Sequence, residues 1–231
     1  VSGAALSLRL LTKTYTDEPD ARPALSPIDL EVPPGQRVAL VGHNGSGKTT
    51  LLRMVAGLLE PSGGDATVHG HARGTIEARA AVSYLSDHPT FYDDLSLREH
   101  LEYVARLHGV EDWSARADDL MDRMGLAGRA DQLPGTFSRG LRQKAAITLA
   151  FVRPFRVLLV DEPFVGLDSG GKAALLALLD EASRTGATLV VATHELSFVH
   201  RVDRLLALSD GELRFDGAPG DADVDALVRP G

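Results

Sequence analysis

The chain has 231 residues, 44% of them hydrophobic, enough apolar material for one substantial core with a smaller subdomain attached. It contains no cysteine, which excludes disulfides, thiolate zinc sites and a cysteine nucleophile. A formal net charge of −8 argues against a general nucleic-acid binder, which needs a basic face, so no nucleic-acid partner is expected. The longest apolar stretches fall far short of a membrane span, and no basic-then-apolar signal pattern opens the chain, so a soluble cytoplasmic protein is expected.

Leu6-Ser7-Leu8-Arg9-Leu10 alternates with period two, which predicts a half-buried strand. A polar stretch over 16–23 separates it from a second strand over 28–32. Pro33-Pro34-Gly35 then turns the chain into the apolar run Val38-Ala39-Leu40-Val41. Directly after this run stand Gly42-His43-Asn44-Gly45-Ser46-Gly47-Lys48-Thr49 and a helical pattern from Thr50 to Leu58. Strand, glycine-rich loop and helix in this order form the phosphate-binding loop in its expected context. The glycines let successive N–H groups turn inward on a polyphosphate, and the helix adds the positive end of its dipole. Lys48 is placed to neutralise the β and γ phosphates, and the Thr49 hydroxyl to hold Mg²⁺. A nucleoside triphosphate is the expected ligand, with residues 42–50 as its candidate contacts, Thr50 included.

Further apolar runs at 82–85, 157–160, 189–192 and 205–208 alternate with helical patterns, the mark of a parallel sheet covered on both faces. Residues 97–128 carry helical signals alone. Trp113, Ala117, Leu120, Met121 and Met124 share one helix face there and are read as core packing. His69-Gly70-His71 is read as a surface turn, because no third metal ligand is near. Asp17-Glu18-Pro19-Asp20 and Asp118-Asp119 are read as solvated surface. The end of the chain, from Gly217, is rich in Gly, Asp and Pro and is read as a tail.

The run over 157–160 ends in Asp161-Glu162-Pro163. Carboxylates at the C-terminal end of a buried parallel strand lie in the crevice where α/β sheets bind ligands. Asp161 is suited to hold Mg²⁺ through water, and Glu162 to orient or deprotonate an attacking water. Phe137-Ser138-Arg139-Gly140-Leu141-Arg142-Gln143-Lys144 opens a helical pattern that runs through Phe151. Ser138 is a candidate N-cap there, and Gly140 lets an anion approach the helix end. Gly166-Leu167-Asp168 comes shortly after the carboxylate pair. His194 stands directly after the run over 189–192, again at a strand's C-terminal end, where it could sense a γ-phosphate.

This ordered set resembles the ATP-binding cassette of ABC transporters over roughly residues 6–217. The counterparts are Walker A (42–49), the signature (137–141), Walker B (157–161) with Glu162, the D-loop (166–168) and the switch histidine His194. The resemblance implies an α/β fold: a P-loop ATPase core with a mainly parallel sheet, an N-terminal antiparallel β subdomain and a helical insertion at about 88–153. One ABC ATPase domain over 1–231 is expected, with a short acidic tail from about 217. ATP and Mg²⁺ are the implied cofactors. Tyr15 would stack on adenine, Glu162 and His194 would act in catalysis, and Thr49, Asp161 and Asp87 would serve the metal. Ser138, Arg139, Gly140 and Leu141 would act on the nucleotide of a second cassette, alongside Asp168.

Two departures from the family pattern stand out. The consensus Leu-Ser-Gly-Gly-Gln reads Phe-Ser-Arg-Gly-Leu here, a form similar to cassettes of haem, drug and polysaccharide exporters. Where the family usually has a glutamine, this chain reads Ser86-Asp87-His88-Pro89; Asp87 aligns best, with His88 the alternative. Phe91-Tyr92-Asp93-Asp94-Leu95 is either hidden packing or part of a groove for a coupling helix of a transmembrane permease subunit.

The implied function is an ATPase subunit, exporter-like, on the cytoplasmic face of the plasma membrane, working with a permease and a second cassette as homodimer or heterodimer. The competing readings are a nucleic-acid- or ribosome-associated ABC ATPase and a small-molecule kinase. Relatives of the first kind carry coiled-coil or zinc insertions or tandem cassettes, none of which is seen here. A kinase needs no signature helix.

Overall fold

The computed structural model describes residues 3–16, 22–193 and 195–224. In chain order the first half runs β1 (Leu6–Lys13), β2 (Leu25–Val32), β3 (Arg37–Val41), α1 (Lys48–Val55), β4 (Gly63–Val68), β5 (His71–Ala72), α2 (Ile76–Ala81) and β6 (Val82–Leu85). Three helices come next, α3 (Leu97–Leu107), α4 (Trp113–Arg123) and α5 (Arg139–Val152). The rest comprises β7 (Val157–Asp161), α6 (Ser169–Arg184), β8 (Thr188–Ala192), α7 (Leu196–Val199), β9 (Arg204–Ser209) and β10 (Glu212–Gly217). Among the described residues no helix is long and apolar enough to cross a membrane.

Two sheets organise these elements. The smaller, antiparallel sheet has the order β2-β1-β4-β5, and the larger has the order β10-β9-β3-β8-β7-β6. From β9 to β6 the larger sheet is parallel, and β10 closes its edge antiparallel. Pleating explains why the parallel strands read as unbroken apolar runs: successive side chains enter different cores. Val38 and Leu40 of β3 join β1, β2 and α1 in one cluster, whereas Ala39 and Val41 face the other with α3 to α6. The same alternation holds in β7, where Val157 and Leu159 face the first cluster and Leu158 and Val160 the second. Binding loops at the ends of these strands are therefore anchored by a sheet covered on both faces.

The helices α3, α4 and α5 pack on one another and form the helical insertion. A capping box starts α3: the Ser96 hydroxyl accepts from the Glu99 N–H while the Glu99 carboxylate accepts from Ser96. Ala117, Leu120, Met121 and Met124 are buried and Trp113 packs against them, so this face is core as expected.

Three expectations change. In β1 the alternation breaks at a bulge around Arg9 and Leu10, so Leu11 is buried and Leu10 is exposed. Leu10 has φ 48°, and one inserted residue reverses the facing of everything after it. The strands β4 and β10 are additions to the expected set, because each lacks an apolar run; in β4 Ala66 and Val68 alone are buried. The region from Gly217 is no free tail over its first part: Gly217 ends β10, and Ala222 and Val224 pack against the core. Asp17 to Asp20, and the tail beyond 224, lie outside the described residues. His69 and His71 flank the β4–β5 turn, as a surface turn requires.

Candidate functional site

The loop after β3 is shaped by glycine. Gly47 ends it with φ 104°, a left-handed conformation that costs glycine little, and a β-carbon there would lie 2.8 Å from the Ala24 carbonyl oxygen. The next residue, Lys48, begins α1 and is 7% exposed. Its ammonium donates to the carbonyls of Gly42 (2.7 Å) and His43 (3.2 Å) and lies 3.9 Å from Glu162 Oε1. Burial lowers the Lys48 pKa, and the negative charges of Glu162 and Asp161 oppose that shift.

At the end of β7, Asp161 is 1% exposed and neither carboxylate oxygen accepts a hydrogen bond of ordinary geometry. Burial raises its pKa most strongly; the nearby Thr49 hydroxyl and Lys48 pull it down, and Asp87 and Glu162 push it up. An orphaned buried carboxylate beside a threonine hydroxyl is the donor set of a hard cation that also takes oxygens from phosphate and water. No cluster of three or more His, Cys, Asp or Glu able to hold a metal occurs among the described residues, so no all-protein cage competes with that arrangement. The residues fit Mg²⁺ bound together with a polyphosphate.

Glu162 comes next with φ 45°, left-handed backbone that a glutamate adopts only under constraint from its surroundings. Its N–H donates to the Ala192 carbonyl at the end of β8. That bond holds the turn so that the carboxylate faces Lys48.

These groups share one cleft of about 340 Å³, lined by residues 44–50, Asp87, Asp161, Glu162, Ala24 and Tyr15. Tyr15 stands at its mouth, with its hydroxyl 3.2 Å from the Thr50 hydroxyl and the Lys13 ammonium 5.4 Å from its ring centre. Asp87 is tied to its neighbours by the Ser86 hydroxyl (3.2 Å), the His88 ring (2.6 Å) and Arg53 (3.8 Å). Of the two candidates in this loop, Asp87 lines the cleft, whereas His88 is mostly solvent-exposed.

Ser138, Arg139, Gly140 and Leu141 are not among the residues lining the cleft. Ser138 caps α5, its hydroxyl accepting from the Leu141 N–H at 3.4 Å. Gly140 serves close packing within the chain: a β-carbon there would lie 2.6 Å from the Gly166 carbonyl oxygen. Asp168 caps α6 through the Gly171 N–H (2.8 Å) and pairs with Lys144 (3.0 Å), which binds the signature helix to the D-loop. His194 lies outside the described residues.

Several supporting groups escape a reading of the sequence. Ala24 reaches the cleft through the fold of the β1–β2 connection, and no local pattern marks it. The Gln143 side chain is buried and donates to the Pro163 carbonyl at 3.3 Å, joining α5 to the turn after Glu162. Flanked by Arg142 and Lys144, Gln143 carries no sequence signal of that role. Lys144 and Asp168 can be paired only once α5 and α6 are placed.

A glycine loop that buries its lysine, beside an orphaned strand-end aspartate and a constrained glutamate, defines a P-loop nucleoside triphosphatase. Residues 25–165 match the family described as ABC transporter. The ABC-type transporter ATP-binding protein EcsA of Bacillus subtilis is 34% identical over 217 residues, covering 92% of this chain and 86% of EcsA. The SkfA peptide export ATP-binding protein SkfE of the same organism is 36% identical over 185 residues, covering 79% of this chain and 77% of SkfE. A solved structure of the ATP binding subunit of an ABC transporter superposes with a TM-score of 0.88 at 29% identity, covering 96% of this chain and 97% of the other. The chain belongs to the ABC transporter family: it is an ATP-binding subunit and an ATPase.

Proposed function

We propose that this chain is one half of a two-cassette motor that closes on ATP, hydrolyses it and drives a separate membrane permease in the direction of export. The observation that carries the two-cassette reading is the lining of the cleft, which includes the phosphate loop and both carboxylates but none of residues 138–141. Ser138 and Arg139 are exposed at the N-terminal end of α5, where a helix dipole favours an anion. In a two-fold assembly each signature would meet the γ-phosphate held by the opposite cassette, and the shared phosphates would join the halves.

Within one cleft, the loop N–H groups and Lys48 bind the β and γ phosphates, and Tyr15 stacks on adenine. Glu162 orients a water and takes its proton. Mg²⁺, held by Thr49 and through water by Asp161 and Asp87, would neutralise charge on the phosphate oxygens. For His194 we retain the γ-phosphate-sensing role that its place after β8 suggests. Export is supported by the signature Phe-Ser-Arg-Gly-Leu and by the likeness to SkfE. The permease would meet the surface near Tyr92 and Tyr103, exposed aromatic residues C-terminal to the Asp87 loop, with the chain peripheral on the cytoplasmic face of the plasma membrane.

Turnover per chain is expected to rise steeply with protein concentration, because two dilute chains must meet before hydrolysis. Ser138→Arg, which places bulk at the shared phosphate, should abolish that rise while leaving ATP binding to the isolated chain intact. Phosphate release measured over a concentration series checks this. Activity linear in concentration and indifferent to Ser138→Arg would refute the composite site.

Tyr15→Ala is expected to weaken ATP binding about tenfold, as loss of a base-stacking ring does, and Tyr15→Phe to keep most of the affinity. Titration with a fluorescent ATP analogue separates the two. An equal loss in both variants would move the contribution from the ring to the Thr50 hydrogen bond.

A further inference from the structure

Glu162 holds its carboxylate toward Lys48 from a backbone conformation that the chain resists twice. Its φ of 45° is left-handed, and the next residue is Pro163, whose ring drives a preceding residue toward extended backbone. Strain of this kind persists only where the surroundings over-determine it. On the amino side the Glu162 N–H is held by the Ala192 carbonyl at 2.9 Å. On the carboxyl side Pro163 has no N–H to give, so its carbonyl is the one backbone group through which a hydrogen bond can fix that residue. This carbonyl accepts from the Gln143 side-chain amide at 3.3 Å. Phe164 then enters the core, its ring 6.1 Å from that of Phe198.

Gln143 is 4% exposed. Among the described residues, α5 buries two polar side chains. Thr148 returns its hydroxyl to the Ala145 carbonyl of the same helix (2.7 Å), whereas Gln143 reaches out of the helix. Gly140, Gln143 and Lys144, three and four positions apart, share one face of α5, and that face lies on residues 163–168. Two of these contacts need no amide. Gly140 admits the Gly166 carbonyl and Lys144 pairs with Asp168, and together they already join α5 to the D-loop. A methionine would fill the space of Gln143 without the cost of desolvating an amide. What the amide adds is a bond to the residue next to Glu162.

We propose that Gln143 is a positioning residue for hydrolysis: its amide, through the Pro163 carbonyl, keeps Glu162 in the orientation from which it acts on water. The helix whose first turn would serve the partner cassette's nucleotide thereby also steadies the base that acts on this chain's own. The proposal rests on the reading of Glu162 as the base and of the signature as acting across two cassettes.

Single-turnover phosphate release and equilibrium ATP binding by the full chain carrying Gln143→Met test it. At saturating ATP the rate is expected to fall about tenfold to a hundredfold, the loss from a displaced catalytic group, with ATP affinity unchanged within about twofold. In a Glu162→Gln chain the same change should lower the rate no further, because the group it positions is already gone. Gln143→Leu repeats the comparison if circular dichroism shows the methionine variant unfolded. A full rate in a folded variant, weakened ATP binding as the main effect, or an equal further loss in the Glu162→Gln chain overturns the proposal. Mixed cassettes locate the effect. A Glu162→Gln chain paired with a Ser138→Arg chain keeps one complete cleft, with the base of the second and the signature of the first. Gln143→Met should cut turnover there when it sits on the chain that supplies Glu162 and spare it on the chain that supplies the signature. The reverse pattern, or an equal loss from both placements, overturns the positioning role. A Glu162→Gln chain that keeps its rate defeats the base assignment and the proposal with it. A mixture without turnover defeats the two-cassette reading alone, and the single-chain comparison still decides on Gln143.

Discussion

Glu162→Gln is expected to lower ATP turnover at least about a hundredfold while ATP binding persists, the loss produced by removal of a positioned base. Glutamine keeps the shape and the strained backbone position of Glu162, so the loop and Lys48 remain where they are. The change removes a negative charge 3.9 Å from the Lys48 ammonium and the capacity to accept a proton from water. Binding without hydrolysis should also trap a nucleotide-bound pair of chains, visible as a shift to the dimer on size exclusion with ATP. Phosphate release measured under single-turnover conditions checks the chemical step. Release at near the unaltered rate would assign the base elsewhere, with His194 first in line.

Lys48→Ala is expected to weaken ATP binding at least about a hundredfold, because charge-assisted hydrogen bonds to two phosphates are lost together. Lys48 is 7% exposed; burial lowers its pKa, and Glu162 and Asp161 oppose that shift. Removing it takes away one of the groups that hold the Asp161 pKa down against burial, so the binding that remains should grow more dependent on pH than in the unaltered chain. Equilibrium titration with a labelled ATP analogue measures the loss, and circular dichroism checks the fold. Unchanged affinity in a folded variant would remove Lys48 from the phosphate site.

Most of the nucleotide chemistry is legible along the chain because it is built from neighbours in sequence. The proposed phosphate contacts, Gly42 to Thr50, would act through their own backbone and one helix end, and Asp161 and Glu162 need only a buried strand to carry them to its tip. Leu10 shows where such reading stops. Its period-two pattern is real, but the bulge in β1 depends on pairing with β2 and β4, and no residue-level signal locates that irregularity. The strands β4 and β10 are hidden for a related reason. Neither carries an unbroken apolar run: Ala66 and Val68 in β4, and Leu213 and Phe215 in β10, meet the core only through the pairing that places them.

The sequence by itself determined the class of ligand and the parallel character of the core, and it singled out the candidate phosphate-binding and acidic residues, because each is set by contiguous spacing. Tertiary structure alone decided which side of the molecule each motif serves. Glycine at 140 can be read as room for an anion; in the fold it also admits the Gly166 carbonyl, which with the Lys144–Asp168 pair ties the signature helix to the D-loop. Order in the sequence prefers Asp87 and keeps His88 as the alternative; in the fold Asp87 lines the cleft and His88 is mostly solvent-exposed. The physical reason is common to all these cases. Local chemistry is written in residues a few positions apart, whereas burial, charge pairing and facing arise from contacts between segments far apart in the chain, which exist only when the sheets and helices have packed.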